Sequence, residues 1–205
     1  TGVQTCALPI YPSGLPGPCI VLQPDCLHEL KGFQPKDRPN SVQSLKAILL
    51  HSGIIGMGGA GFPSFRKIAN KAGQIHTLIV NAAECEPYIT CDDMLMRERP
   101  HEIIEGALIT AHALGATNVL IGIEDNKPEA ALAMPQYQPL AENDARITVE
   151  VVVVPTVYPM GSANQLITQL TGQEIPADAH STDLGLVMFN VATLAAVYRA
   201  VVIGK

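Results

Sequence analysis

Between residues 53 and 67 the chain carries Gly53, Gly56, Gly58, Gly59 and Gly61, then Pro63, then the adjacent cations Arg66 and Lys67. Glycines let the backbone adopt positive φ and let a ligand approach bare N–H groups. A proline fits the first turn of a helix, where a missing N–H costs nothing. A helix opened by Pro63 and ending near Gly73 would aim its free amides and the positive end of its dipole back at the glycine loop. Lys67, one turn on, would then reach a phosphate from the side. The pattern reads as a seat for a phosphorylated cofactor. Two plainer readings compete with it. One is a tight connection before a helix. The other is a dinucleotide fingerprint, because Gly56-x-Gly58-x-x-Gly61 matches it in letters; that fingerprint needs a strand immediately before it. Residues 42–50 instead show helical spacing, with Ser41 as a cap.

Three further polar clusters fall where apolar β-rich runs end. Asn81, Glu84 and Glu86 follow the run 76–82, and Pro87 restrains the backbone before it. Two carboxylates and an amide there suit ribityl or ribose hydroxyls and a carboxamide; the plain alternative is a solvated acidic turn. Tyr158, Gly161 and Ser162 follow the run 147–154, and Asn190 and Thr193 follow the run 184–189. In α/β sheets ligands bind outside the carboxyl ends of strands, so these ends and the glycine loop are the candidate site. Other residues receive only structural readings. Asp92 and Asp93 suit a helix first turn, where carboxylates favour the dipole. Glu124 and Asp125 begin a turn. His101 and His112 lack the partners of a metal set.

The elements that must position these residues follow from periodicity. Helices are expected over 42–51, from Pro63, over 91–98, from Pro100 to Gly115, over 127–134, 163–170 and 191–202; strands over 76–82, 118–123, 147–154 and 184–189. Alternation of this kind predicts an α/β, Rossmann-like fold with a mostly parallel sheet and helices on both faces. Residues 1–10 begin without Met, show no periodicity and read as a foreign extension. Residues 11–40, rich in proline around the apolar run 19–22, read as the remnant of an upstream domain plus a linker. The regular domain then occupies 41–205.

Composition narrows the partners. Only 16% of residues are charged and 47% are apolar, which describes a large core or much hidden surface. A net charge of −6 and no Trp argue against nucleic acid, since no basic stripe is present to neutralise phosphates. Five scattered cysteines without a C-x-x-C spacing read as reduced thiols packed in the core, not as cluster ligands. The most membrane-like stretch, 187–204, is interrupted by Asn190, Thr193, Tyr198 and Arg199 and suits a strand plus helix better than a bilayer.

The runs GMGGAGFPSFRK (56–67), NAAECEPYITCDD (81–93), IGIEDNKPEA (121–130), YPMGSANQLITQLTGQEIP (158–176) and FNVATLAAVYRAV (189–201) together resemble the RnfC component of the Rnf electron-transport complex. More distantly they are similar to the flavoprotein subunit of respiratory complex I and to NADH-linked hydrogenase subunits. The resemblance implies non-covalent FMN on a Rossmann-like domain, reduced by NADH, with electrons passed on singly to iron–sulfur clusters. It implies a translocase complex that couples electron flow between NADH and ferredoxin-type carriers to ion movement. The protein would be peripheral, on the cytoplasmic face of the bacterial inner membrane, and attached through its partner subunits. Carried onto this chain, Gly56, Gly58 and Lys67 would hold the FMN phosphate region, and Asn81, Glu84, Tyr158, Gly161 and Asn190 would line the rest of the flavin. Gly59, Phe62 and Glu86 would face NADH. No residue need be catalytic, because the hydride chemistry belongs to the flavin. The 4Fe-4S cysteines of the family are expected only beyond Lys205, in a missing C-terminal domain.

The resemblance departs from complex I at Ala83, where an acidic residue is expected, and at Ser162 and Ala163, where a glutamate pair is expected. Three other readings therefore stand beside it: a flavin-free docking subunit of the same complex, a soluble NAD-dependent dehydrogenase, and a cobalamin-reducing relative with the same core.

Overall fold

The computed structural model describes residues 2–4, 21–23, 34–68, 74–136 and 146–204. The chain divides into two units, Thr1–Gly32 and Phe33–Lys205. In the first, β1 (Gly2–Gln4) pairs antiparallel with β2 (Val21–Gln23), Val3 opposite Leu22. The apolar run 19–22 therefore overlaps β2. The other residues of the expected extension, and 11–20 and 24–33 of the expected remnant and linker, lie outside the described residues.

The second unit begins with α1 (Val42–His51), which Ser41 and Ser44 cap reciprocally, side chain to backbone in both directions. After the glycine loop comes α2 (Ser64–Lys67), only four residues long, with Pro63 as its N-cap and Ile68 closing it. The expected longer helix is thus cut short at Ile68, and its end near Gly73 lies outside the described residues. There follow β3 (Thr77–Ala82), α3 (Cys91–Glu98), α4 (Pro100–Leu114), β4 (Asn118–Glu124), α5 (Pro128–Ala133), β5 (Thr148–Val154), α6 (Ala163–Thr171), β6 (Leu186–Asn190) and α7 (Val191–Tyr198), with a wider helical turn at Arg199–Ile203. Gly115, at φ 75°, ends α4 in the left-handed conformation that a side chain would disfavour. The strand expected from Leu184 starts two residues later, because Ser181–Leu184 form a 3₁₀ turn closed by Gly185.

Among the described residues the four strands of this unit are all parallel, in the order β5-β4-β3-β6. Side chains alternate across the pleat, so each strand contributes to two cores. Leu78, Val80, Val119, Ile121, Val187 and Phe189 face a large core shared with α1, α3, α4, α5 and α7. Ile79 and Leu186 face a smaller core with Leu166 and Ile167 of α6. Both faces are covered, one heavily and the other, among the described residues, chiefly by α6.

The tightest contact is between α4 and α7. A Cβ built on Gly106, in the middle of α4, would lie 2.6 Å from the carbonyl carbon of Leu194 and closer still to its oxygen. The two helices meet backbone to backbone, which only glycine allows here. At the free edge of β6, Lys67 Nζ donates to the Met188 carbonyl at 2.5 Å and stacks over the Phe189 ring, 5.1 Å from its centre. No helix among the described residues is long and apolar enough to cross a membrane.

Candidate functional site

The chain runs from β3 to β4 to β5 in one direction across the sheet, and β6 then takes the opposite side of β3. Between β3 and β6 lies the point where strand order reverses, and a crevice opens there at the carboxyl ends. Two asparagines stand side by side at its floor, since Asn81 and Asn190 are register partners. Asn81 Nδ2 donates to the Gly161 carbonyl at 2.8 Å and its Oδ1 accepts from Ala83 N. Asn190 caps α7 through Oδ1, which accepts from Ala192 N at 2.8 Å, while its Nδ2 donates to Asp92 Oδ2 at 2.5 Å. Strand β6 passes into α7 with no intervening loop.

The glycine loop folds over this floor. Gly56 N donates to the Phe62 carbonyl at 2.7 Å, Ile55 bridges Pro63, and Met57 N donates to Thr193 Oγ1 at 2.9 Å. Gly59 has φ 104° and Gly61 φ 61°. A side chain at either position would be strained. A Cβ on Gly58 would meet Asn190 Cβ at 3.3 Å, and one on Gly161 would meet Cys85 Sγ at 3.1 Å, so both glycines keep the crevice open.

Two adjoining cavities result. The larger, about 390 Å³, is lined by Met57, Gly58, Gly59, Asn81, Glu84, Cys85, Glu86, Ile89, Cys91, Asp92, Pro159, Gly161, Ser162 and Asn190. Its volume falls within the range of cofactor sites. The smaller, about 150 Å³, shares Gly58, Asn81, Gly161 and Asn190 with it and adds Gly56, Phe62, Ser64, Lys67 and Thr193. Ser64 Oγ is buried there without a hydrogen-bond partner. Burial also holds the Lys67 ammonium below its usual lysine range. An orphan hydroxyl and a desolvated cation in one small cavity form a place that an anion would complete.

Ten of the eleven residues expected from the sequence line these cavities; Tyr158 does not. It is 67% exposed, in a turn closed by Met160 N on the Val157 carbonyl, where Met160 takes the core position and Pro159 and Gly161 take the cavity wall. Glu84 has a second task. Its carboxylate accepts Asp92 N at 2.7 Å and Asp93 N at 3.0 Å, and its backbone, at φ 49°, is turned to make this possible. Thr90, the formal cap of α3, makes no side-chain capping bond, so Glu84 caps the helix from outside. Glu84→Ala is therefore expected to lower stability by about 1–2 kcal/mol in urea unfolding, with Glu84→Gln losing less.

Residues that the sequence gave plainer roles also belong here. Asp92, assigned to the helix dipole, is 8% exposed and lines the larger cavity. Cys85 and Cys91, assigned to the core, line it too, Cys91 Sγ lying 3.3 Å from Glu84 Oε1. The other three cysteines lie outside the described residues. Ser64 was hidden as an ordinary serine, and the signal that marks it is its place directly after the glycine loop and Pro63. Glu124, read as the start of a turn, is fully buried and ion-paired with Lys127 at 2.8 Å. Ala83 and Ser162, the departures from complex I, serve locally: Ala83 is fully buried in the smaller core, and Ser162 Oγ caps α6.

A family model described as the Nuo51 FMN-binding domain matches residues 49–199, which include every element that lines the crevice. The chain belongs to this family. Curated relatives, named as the C component of the ion-translocating oxidoreductase complex, are 46% identical over 201 residues in Edwardsiella ictaluri and 46% over 198 residues in Rhodobacter capsulatus. A further relative of that name, in Pseudomonas aeruginosa, is 47% identical over 200 residues. Each alignment covers 95% of this chain but only 24%, 37% and 25% of the respective relative. The domain thus spans between a quarter and two-fifths of their length. A crystal structure of an NAD⁺-reducing [NiFe]-hydrogenase in the H₂-reduced state superposes with a TM-score of 0.69 at 25% identity, covering 81% of this chain and 32% of that one.

Proposed function

We propose that this domain binds FMN in the crevice between β3 and β6 and serves as an NADH-oxidising electron-transfer module of a membrane-associated, ion-translocating redox complex. The observation that carries the reading is the smaller cavity, where the desolvated Lys67 and the orphan Ser64 hydroxyl share the lining with Gly56 and Gly58 of the glycine loop. In this reading Gly56, Gly58, Ser64 and Lys67 receive the phosphate. Asn81, Glu84, Gly161 and Asn190 bound the remainder of the flavin, and Tyr158 stands at the rim. Gly59 and Glu86, in the wall of the larger cavity, and Phe62, at the edge of the smaller one, face the nicotinamide dinucleotide; Phe62, 48% exposed, offers it a stacking surface.

Flavin, when bound, supplies exchange between two-electron and one-electron carriers. The chain's own residues bind and orient it and exclude water, and no side chain need move a proton. The names of the relatives support partner subunits in an ion-translocating oxidoreductase complex; a ferredoxin-type carrier, clusters outside this domain and a peripheral place at the cytoplasmic face of the membrane belong to the proposal and rest on the sequence resemblance alone. The soluble dehydrogenase reading is disfavoured because helix α1, not a strand, leads into the glycine loop.

The test is titration with FMN and, separately, with riboflavin, which lacks the phosphate. Lys67→Met should weaken FMN binding by about 10- to 150-fold, the worth of a hydrogen bond to a charged group, and leave riboflavin binding unchanged. Bound FMN should then bleach on addition of NADH. A folded wild-type domain that takes up no flavin would replace this reading with that of a docking subunit.

A further inference from the structure

Asp92 has no task in the reading above, yet it lines the crevice. It sits in the first turn of α3, 8% exposed, with its carboxylate on the wall of the larger cavity. Its Oδ2 holds the Asn190 amide at 2.5 Å and so fixes the one side chain that joins β6, α7 and the cavity floor. One of its oxygens, one of Glu84 and the Cys91 sulfur lie within 4.8 Å of one another. Two carboxylates therefore share a partly closed space from which the ligand would exclude water.

We propose that Asp92 is a proton-responsive positioning residue that orients Asn190 and, by its charge, opposes an anionic ligand in the crevice until it is protonated. This rests on the FMN reading and adds its regulation. Burial above all, and then the Glu84 charge, push the Asp92 carboxyl up to about 6, against the hydrogen bond from Asn190 and the positive charge of Lys127. The ionisable groups that face it are Glu84 from the loop after β3, Lys127 at the head of α5 and Cys91 on its own helix. Helix α7 brings Asn190 at its start and Tyr198 at its far end as the one ionisable side chain over 191–198, and α4, which also packs on α3, has Glu102 held by Arg199 at 2.6 Å. Lys127 is itself tied to Glu124 at 2.8 Å, so its pull on Asp92 is shared.

The sign follows from the raised value. Below about pH 6 the folded protein keeps Asp92 neutral, and above it the carboxylate is charged. A bound anion favours the protonated form still more, so binding takes up a proton and tightens as pH falls from about 7.5 to about 5. If the ligand raises the carboxyl by one further unit, the change in affinity is about tenfold.

The experiment measures FMN affinity from pH 5 to 8 for the wild-type chain, Asp92→Asn and Asp92→Ala by flavin fluorescence. Asparagine keeps an oxygen for the Asn190 amide but carries no charge, and alanine keeps neither. The FMN phosphate itself titrates near about pH 6, so variants are compared at the same pH and the ratio is read. Wild type should bind about tenfold more weakly than Asp92→Asn at pH 7.5 and equally at pH 5, and Asp92→Ala should bind more weakly than Asp92→Asn throughout. A wild-type to Asp92→Asn ratio that stays constant with pH overturns the proton response. Equal affinities for Asp92→Asn and Asp92→Ala overturn the positioning role. Absence of flavin binding by all three folded proteins at every pH overturns the FMN reading, and this inference with it.

Discussion

Gly106→Ala is expected to destabilise the domain by at least about 3 kcal/mol, although alanine is the better helix former. The propensity gain of a Gly-to-Ala change in a helix is about 1 kcal/mol. Against it stands a Cβ 2.6 Å from the Leu194 carbonyl carbon and closer to the oxygen, in contact with backbone that no rotamer change can relieve. The added methyl forces α7 away from α4 by about 1 Å, and the well-packed layer between them then loses contacts along its whole length. For a unit of this size that corresponds to a fall in Tm of about 10 °C. The displacement also reaches the crevice, because α7 begins at Asn190 and carries the Thr193 hydroxyl that holds Met57 N. Flavin affinity should drop together with stability, whereas Glu84→Gln should affect stability far less. A Tm within about 2 °C of wild type would mean that the helices are not locked at this crossing.

The second large effect is expected from Lys127→Met. Glu124 is fully buried, its Oε2 pairs with Lys127 Nζ at 2.8 Å, and its Oε1 has no partner. The same ammonium donates to Asn126 Oδ1 at 2.9 Å and lies 3.5 Å from the Glu84 carbonyl. Removing one partner of such a pair leaves a buried charge without compensation, which costs about 3–5 kcal/mol; removing both charges costs much less. Glu124→Gln combined with Lys127→Met should therefore recover more than half of the loss seen in Lys127→Met alone. Urea unfolding of the two single variants and the double variant measures the coupling. An additive cycle would show that the two side chains do not act as a pair. Because Lys127 also approaches the Glu84 loop, the single variant should loosen the cavity wall as well.

Much of the architecture was legible because it depends on local chemistry. Ser41 announces the start of α1, Pro100 and Gly115 bracket α4, and the alternation of β-rich runs with amphipathic ones points to a mostly parallel sheet. Glycine spacing marked the loop, and polar residues after β-rich runs marked three strand ends. The misjudged details share one cause. Strand β6 starts late and α2 stops early because local turns that periodicity does not mark, the 3₁₀ turn closed by Gly185 and the turn at Ile68, set where these short elements begin and end.

The order of the strands was not legible, and with it went the meaning of individual polar residues. Nothing in the chain says that β6 returns to the far side of β3, and so nothing says that Asn81 and Asn190, more than a hundred residues apart, are neighbours in register. Burial likewise decided Asp92 and Glu124. An aspartate in a first turn and a glutamate before a turn read as solvated in one dimension, and only the packing of α3, α5 and α7 removes their water. Sequence alone determined the α/β class, the family resemblance and the glycine loop, because these rest on backbone freedom and periodicity, which each segment carries within itself. The tertiary structure decided the crevice, the burial of the Asp92 carboxyl in its wall and the locked glycine crossing, because desolvation and close approach are properties of pairs of segments and exist only after folding.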